Sequence, residues 1–129
     1  MVSNAGEKMD IIEGLACFIK NALPAAKRDR FLDFLGKEKN HKKFYSSLDH
    51  DFENHINKEK IVTKLTDSEL TQAGSLYCSN GVTNNSEIAM IDLYNKAPWE
   101  GGWLLINKAG TYGVYRAEGR ANDEIHIRL

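Results

Sequence analysis

Apolar residues along the first third of the chain recur at three- and four-residue spacing. Ile11, Ile12, Leu15, Phe18 and Ile19 make one stripe, which predicts a helix over about 9–22. Pro24 ends it, because the residue before a proline is pushed out of the α region. Proline also suits the first turn of a helix, where its missing N–H costs nothing, so a second helix is predicted over about 24–35. Phe31, Leu32 and Leu35 form its stripe and Gly36 its stop. Phe44, Tyr45 and Leu48 mark a third helical stretch over 38–48. Residues 49–65 read as a short helix or turn and a connector carrying Phe52, Ile56, Ile61, Val62 and Leu65. Thr66-x-x-Glu69 has the form of a capping box and predicts a helix over 66–72.

Past Gly74 the period shortens. Residues 75–79 (SLYCS) predict a strand, and the Asn- and Gly-rich 80–85 a turn or loop. Ser86 can cap a helix over 86–97 with Met90, Leu93, Tyr94 and Ala97 as its stripe. Strands follow at 102–107 and 111–118, joined as a hairpin by Lys108-Ala109-Gly110. In the second of these, Tyr112, Val114 and Arg116 share one face and Gly113, Tyr115 and Ala117 the other. At 124–129, Ile125, Ile127 and Leu129 alternate with Glu124, His126 and Arg128, which predicts a strand with one wet face. The pattern as a whole predicts one α+β domain over 1–129: N-terminal helices packed on a small, mostly antiparallel C-terminal sheet. Neither a repeat nor a linker interrupts it.

Composition narrows the function classes. A chain of 129 residues can bury a core without metal or disulfide staples. A net charge of −1 gives no whole-protein field toward nucleic acid or anionic lipid, so a charged partner must be recruited by a local patch. No apolar run approaches the roughly 20 residues that span a bilayer, and MVSNAGEKMD lacks the basic-then-apolar form of a signal peptide. We therefore expect a cytoplasmic protein with no membrane partner. Cys17 and Cys78 are then expected to be free thiols, Cys17 as a small buried hydrophobe.

RFLDFLGKEKNHKKFYSSLDH (30–50), SLYCS and GGWLLINKAGTYGVYRAEG (101–119) together resemble a group of small uncharacterised bacterial proteins. Those proteins carry a basic helix, a "KKFLDSLHH"-like segment, a short strand, a helix and a glycine-led hairpin. Where the group has a Cys-x-x-Pro-Gly-like turn, this chain has Asn107-Lys108-Ala109-Gly110. The resemblance implies a helix over 86–97 and brings no activity with it.

Four constellations bear chemistry. The tract 27–43 holds Lys27, Arg28, Arg30, Lys37, Lys39, Lys42 and Lys43 against Asp29, Asp33 and Glu38, and could line phosphates. Its interleaved Phe31, Leu32, Phe34 and Leu35 have core spacing, and 44–69 carries six acidic residues to three lysines, so a solvated helix face is the favoured reading. His50, Asp51 and His55 are ligand types that suit a divalent metal. However, the two histidines are five apart, and capping or solvation is favoured. Cys78 with His126 or His55 could form a thiol–base pair, although a packing cysteine is the simpler reading. Trp99, Trp103, Tyr112 and Tyr115 are residue types that dominate protein interfaces.

These readings favour a non-enzymatic binding or regulatory protein, similar in profile to small inhibitors and immunity proteins. It would use no cofactor and would contact a protein partner through Trp99, Trp103, Tyr112 and Tyr115. The alternatives are a nucleic-acid-associated protein using Lys27, Arg28, Arg30, Lys39, Lys42 and Lys43, and a small metal-dependent enzyme using His50, Asp51 and His55. A homodimer is expected if the edge left by Ile125, Ile127 and Leu129 pairs with a second copy.

Overall fold

The computed structural model describes the backbone of residues 4–79, 81–97, 101–119 and 124–129, and side chains from residue 13 onward within those ranges except 81–87. Helices α1 (Asn4–Ala22), α2 (Ala25–Gly36) and α3 (His41–Ser47) come first, with a 3-10 turn Glu38–Asn40 between the last two. Two more 3-10 turns, Asp51–His55 and Lys58–Lys60, lead to strand β1 (Ile61–Val62) and helix α4 (Asp67–Leu70). Strands β2 (Ala73–Cys78) and β3 (Gly81–Ala89), helix α5 (Met90–Tyr94) and strands β4 (Trp103–Asn107), β5 (Tyr112–Arg116) and β6 (Ile125–Arg128) complete the chain. The strands form one antiparallel sheet in the order β1-β6-β5-β4-β2-β3.

The alternation of side chains across a strand explains why this sheet is covered on both faces. Tyr77, Leu104, Ile106, Tyr115 and Ile127 face α1, α2 and α3, where they meet Leu15, Phe18, Ile19, Phe31, Phe44 and Phe52. Leu76, Cys78, Trp103, Leu105 and Val114 face the other way, onto Leu65, Leu70, Met90 and Leu93. All five residues of β4 are buried, which is why WLLI reads as a continuous apolar run rather than an alternating one. Helix α1 meets the β4–β5 turn through two glycines. Gly110 has φ +72°, and a Cβ there would lie 2.5 Å from the Gly14 carbonyl oxygen.

The face expected to be wet at 124–129 is partly covered, with Arg128 exposed and Glu124 and His126 half-buried. His126 Nδ1 accepts a hydrogen bond from Leu65 N–H at 3.0 Å, and the Tyr94 hydroxyl donates to Glu124. Burial holds the His126 imidazole below its ordinary pKa, assisted by Lys64, which suits a ring that accepts at Nδ1. The capping box expected at Thr66 is present: Thr66 Oγ1 accepts from Glu69 N–H and Glu69 Oε1 accepts from Thr66 N–H. Glu69 also takes two hydrogen bonds from Arg128, at 2.7 and 2.6 Å, tying α4 to β6.

These bonds hold the Glu69 carboxyl down to about 2, the Arg128 guanidinium being the main cause. A carboxylate depressed in the folded state adds stability above its unfolded value of 4.5, and that increment is lost as pH falls toward 2. Chemical unfolding should therefore find Glu69→Gln less stable than the wild type at pH 7. The gap should close as pH is lowered from about 5 to 2. A gap independent of pH would remove the Glu69–Arg128 pair as its cause.

Three further expectations change. The helix over 86–97 is confined to Met90–Tyr94, and β3 takes residues 81–89, including most of the stretch read as a loop. Pairing with β2 (Gly74↔Ile88, Leu76↔Asn84, Tyr77↔Val82) satisfies more main chain than a cap at Ser86 could, and Met90 N–H donates to the Gln72 carbonyl instead. Cys17 is exposed, on the solvent side of α1, while Cys78 is buried. The edge that motivated a homodimer is occupied, because β1 pairs with β6 through Ile61↔Ile127 and Val62↔His126. The sheet's outer strands are then a two-residue β1 and a β3 with register shifts, both poor templates for a further strand.

Candidate functional site

The arrangement is built outward from Phe31. Phe31 and Leu35 lie one helical turn apart on the buried face of α2, and Phe44 does the same work on α3. Phe31 meets Phe44 at 6.2 Å, Phe52 at 5.6 Å and His55 at 5.4 Å between ring centroids, mostly edge to face. His41 Nε2 lies 2.9 Å from the Leu35 carbonyl oxygen and joins the end of α2 to the start of α3. With those apolar faces turned inward, the opposite positions turn out. Arg30, Phe34, Lys42, Lys43, Ser46, Ser47 and Asp51 line an open groove of 490 Å³ between the two helices.

Charge in the groove is ordered. The Arg30 guanidinium lies over the Phe31 and Phe34 rings at 5.3 and 5.7 Å and pairs with Asp51 Oδ2. Asp51 Oδ1 lies 3.3 Å from His55 Nε2, so one carboxylate bridges arginine and imidazole. His55 Nδ1 is buried with no hydrogen-bond partner. Ser47 Oγ donates to the Phe44 carbonyl, which leaves the exposed Ser46 as the groove's available hydroxyl. Lys42 and Lys43 are exposed and stand on the rim.

The six basic candidates therefore divide. Arg30, Lys42 and Lys43 come together, whereas Lys27, Arg28 and Lys39 lie outside the groove lining, and Arg28 donates to the Lys20 carbonyl at 3.0 Å. The metal set also divides: His50 turns to Glu118, 3.6 Å away, while Asp51 and His55 stay together. Among the described residues no group of three or more His, Cys, Asp or Glu could hold a metal ion. Cys78 packs on the second face of the sheet and His55 against Phe31, while β5 and β4 stand between His126 on β6 and Cys78 on β2, so neither histidine is brought to Cys78.

The aromatic set does not make one surface. Trp103 and Tyr115 are buried at 1% and 0% exposure on opposite faces of the sheet. Trp103 packs edge-on to Tyr94 and under Arg116, and the half-buried Tyr112 lies on its side. The Tyr115 hydroxyl donates to the Leu48 carbonyl at 2.6 Å, and burial raises its pKa. These rings build the two cores, because both faces of the hairpin are covered. Trp99 lies outside the described residues.

Asp49, in the sequence only one of the six acidic residues of 44–69, has a structural role that no motif announces. Its Oδ1 accepts from Gly102 N–H at 2.6 Å, and its carbonyl accepts from Glu118 N–H at 2.8 Å. With Tyr115 on Leu48, this stitches the end of α3 to both strands of the hairpin. The partner is 53 residues away, and no local pattern signals it.

Comparison with family models, with curated proteins and with solved structures returns no match.

Proposed function

We propose that this chain is a non-enzymatic, inhibitor- or immunity-protein-like binding protein. Its contact surface is the α2–α3 groove, and its partner presents an acidic protein segment there. The observation that carries the reading is the groove lining: three cations to one carboxylate, together with the Phe34 ring and the exposed Ser46 hydroxyl. Carboxylates of a partner suit the exposed Lys42 and Lys43, since Arg30 is already paired with Asp51. Phe34 offers apolar area to a neighbouring side chain of the same segment. The absence of a whole-protein basic field, at net charge −1, supports a local and selective contact.

The test is a calorimetric titration with a glutamate-rich peptide carrying one central leucine. Wild type should bind it, weakly and less well as salt rises. Lys42→Glu/Lys43→Glu should bind at least about tenfold more weakly, since each exposed pair of roughly 0.2–1 kcal/mol is replaced by repulsion. Its thermal unfolding should match wild type, because both side chains are exposed. Equal binding by the two proteins would discard the groove.

A further inference from the structure

We infer that Asp51 is the specificity-determining residue of this groove, the fixed negative charge that admits an acidic protein segment and turns away nucleic acid. The inference rests on the groove being a contact surface and goes further by naming what sets its choice. Without Asp51 the lining would be uniformly positive with a half-buried aromatic ring, the combination that single-stranded nucleic acid uses for backbone contact and base stacking. Asp51 interrupts it. Its carboxylate is oriented by two neighbours, Arg30 at Oδ2 and the largely buried His55 at Oδ1. Arg30 is thereby engaged twice, by Asp51 and by the two rings, and is withheld from an incoming phosphate.

The discrimination follows from how the two polymers space their charge. A nucleic-acid strand carries a phosphate at every nucleotide, so a strand lying along Lys42 and Lys43 sets further phosphates near Asp51. A protein segment can set its carboxylates on Lys42 and Lys43 and present an amide N–H or a neutral side chain to Asp51. The same carboxylate then repels one ligand and accepts a hydrogen bond from the other.

Three proteins decide it: wild type, Asp51→Asn, which keeps the shape and an acceptor oxygen, and Asp51→Glu, which keeps the charge. Each is titrated with oligothymidylate and with the glutamate-rich peptide at several salt concentrations. Asp51→Asn should bind oligothymidylate roughly tenfold tighter than wild type, the scale of one removed surface repulsion. Its log–log salt slope should steepen by about 0.7 for the phosphate that Arg30 gains. Asp51→Glu should match wild type, and peptide affinity should stay within about twofold for both variants. Adding Lys42→Glu/Lys43→Glu to Asp51→Asn should erase the gain. No gain with oligothymidylate, an equal gain for Asp51→Glu, or a parallel gain for the peptide would each overturn the assignment of Asp51. Peptide binding indifferent to Lys42→Glu/Lys43→Glu would instead overturn the protein-contact reading, while the oligothymidylate series still reports on Asp51.

Discussion

Gly102→Ala will be the most damaging small substitution in this chain. A Cβ at position 102 would lie 1.8 Å from the Leu48 carbonyl oxygen, 2.3 Å from its carbon and 2.8 Å from Asp49 N. Those are backbone atoms, so no rotamer change relieves the clash, and the segment after α3 must move off the start of β4. Three hydrogen bonds leave with it: Asp49 Oδ1 to Gly102 N–H, Asp49 carbonyl to Glu118 N–H, and Leu48 carbonyl to the Tyr115 hydroxyl. Overpacking costs about 1–3 kcal/mol and each lost hydrogen bond about 1 kcal/mol, so a total on the order of 4 kcal/mol is expected. Urea unfolding of the purified variant measures it. A loss below about 1 kcal/mol would mean that Leu48 and Gly102 are not in contact.

Phe31→Ala is expected to cost a similar amount by a different route. Phe31 is fully buried at the meeting point of Phe34, Phe44, Phe52 and His55, and truncating such a ring costs about 3–5 kcal/mol. The same substitution removes one of the two rings beneath Arg30, so the groove loses order along with the core. Phe31→Leu should recover most of the stability, because it refills the space without the ring. If alanine and leucine were equally tolerated in denaturant titrations, Phe31 would not be the centre of this cluster.

These two residues mark the boundary of what the sequence makes legible. Phe31 is legible: its spacing to Leu35 and the neighbouring stripes in α1 and α3 follow from helical periodicity. The capping box at Thr66 and the hairpin of β4 and β5 are legible for the same reason, as local patterns realised locally. The role of Gly102 is not, because its contact with Leu48 joins elements more than 50 residues apart in the chain. Residues 81–89 fail in another way. The helical signal of Met90 and Leu93 does not reach back over Ser86, where pairing with β2 overrides local preference.

The candidate site divides along the same line. The basic tract was visible in the sequence, yet only Arg30, Lys42 and Lys43 of it converge, because α2 and α3 cross with those positions on one side. Asp51 reads in the sequence as a carboxylate near histidines, a capping or solvated residue with a metal set as the alternative. Its pairing with Arg30, 21 residues earlier, gives it a different neighbourhood. Alternation puts Tyr112 and Tyr115 on opposite faces of β5, and the structure has them so. That both faces are covered depended on α4, α5 and the connector from Val62 to Leu70, segments too short to announce a second layer.

On the proposed function the partner meets the α2–α3 groove and not the hairpin. Amide chemical-shift mapping with the glutamate-rich peptide tests it residue by residue. Shifts should concentrate at Arg30, Phe34, Lys42, Lys43, Ser46 and Asp51 and should vanish in Lys42→Glu/Lys43→Glu. Shifts gathered instead on β4, β5 and the loop before them, or an unperturbed spectrum at saturating peptide, would contradict it.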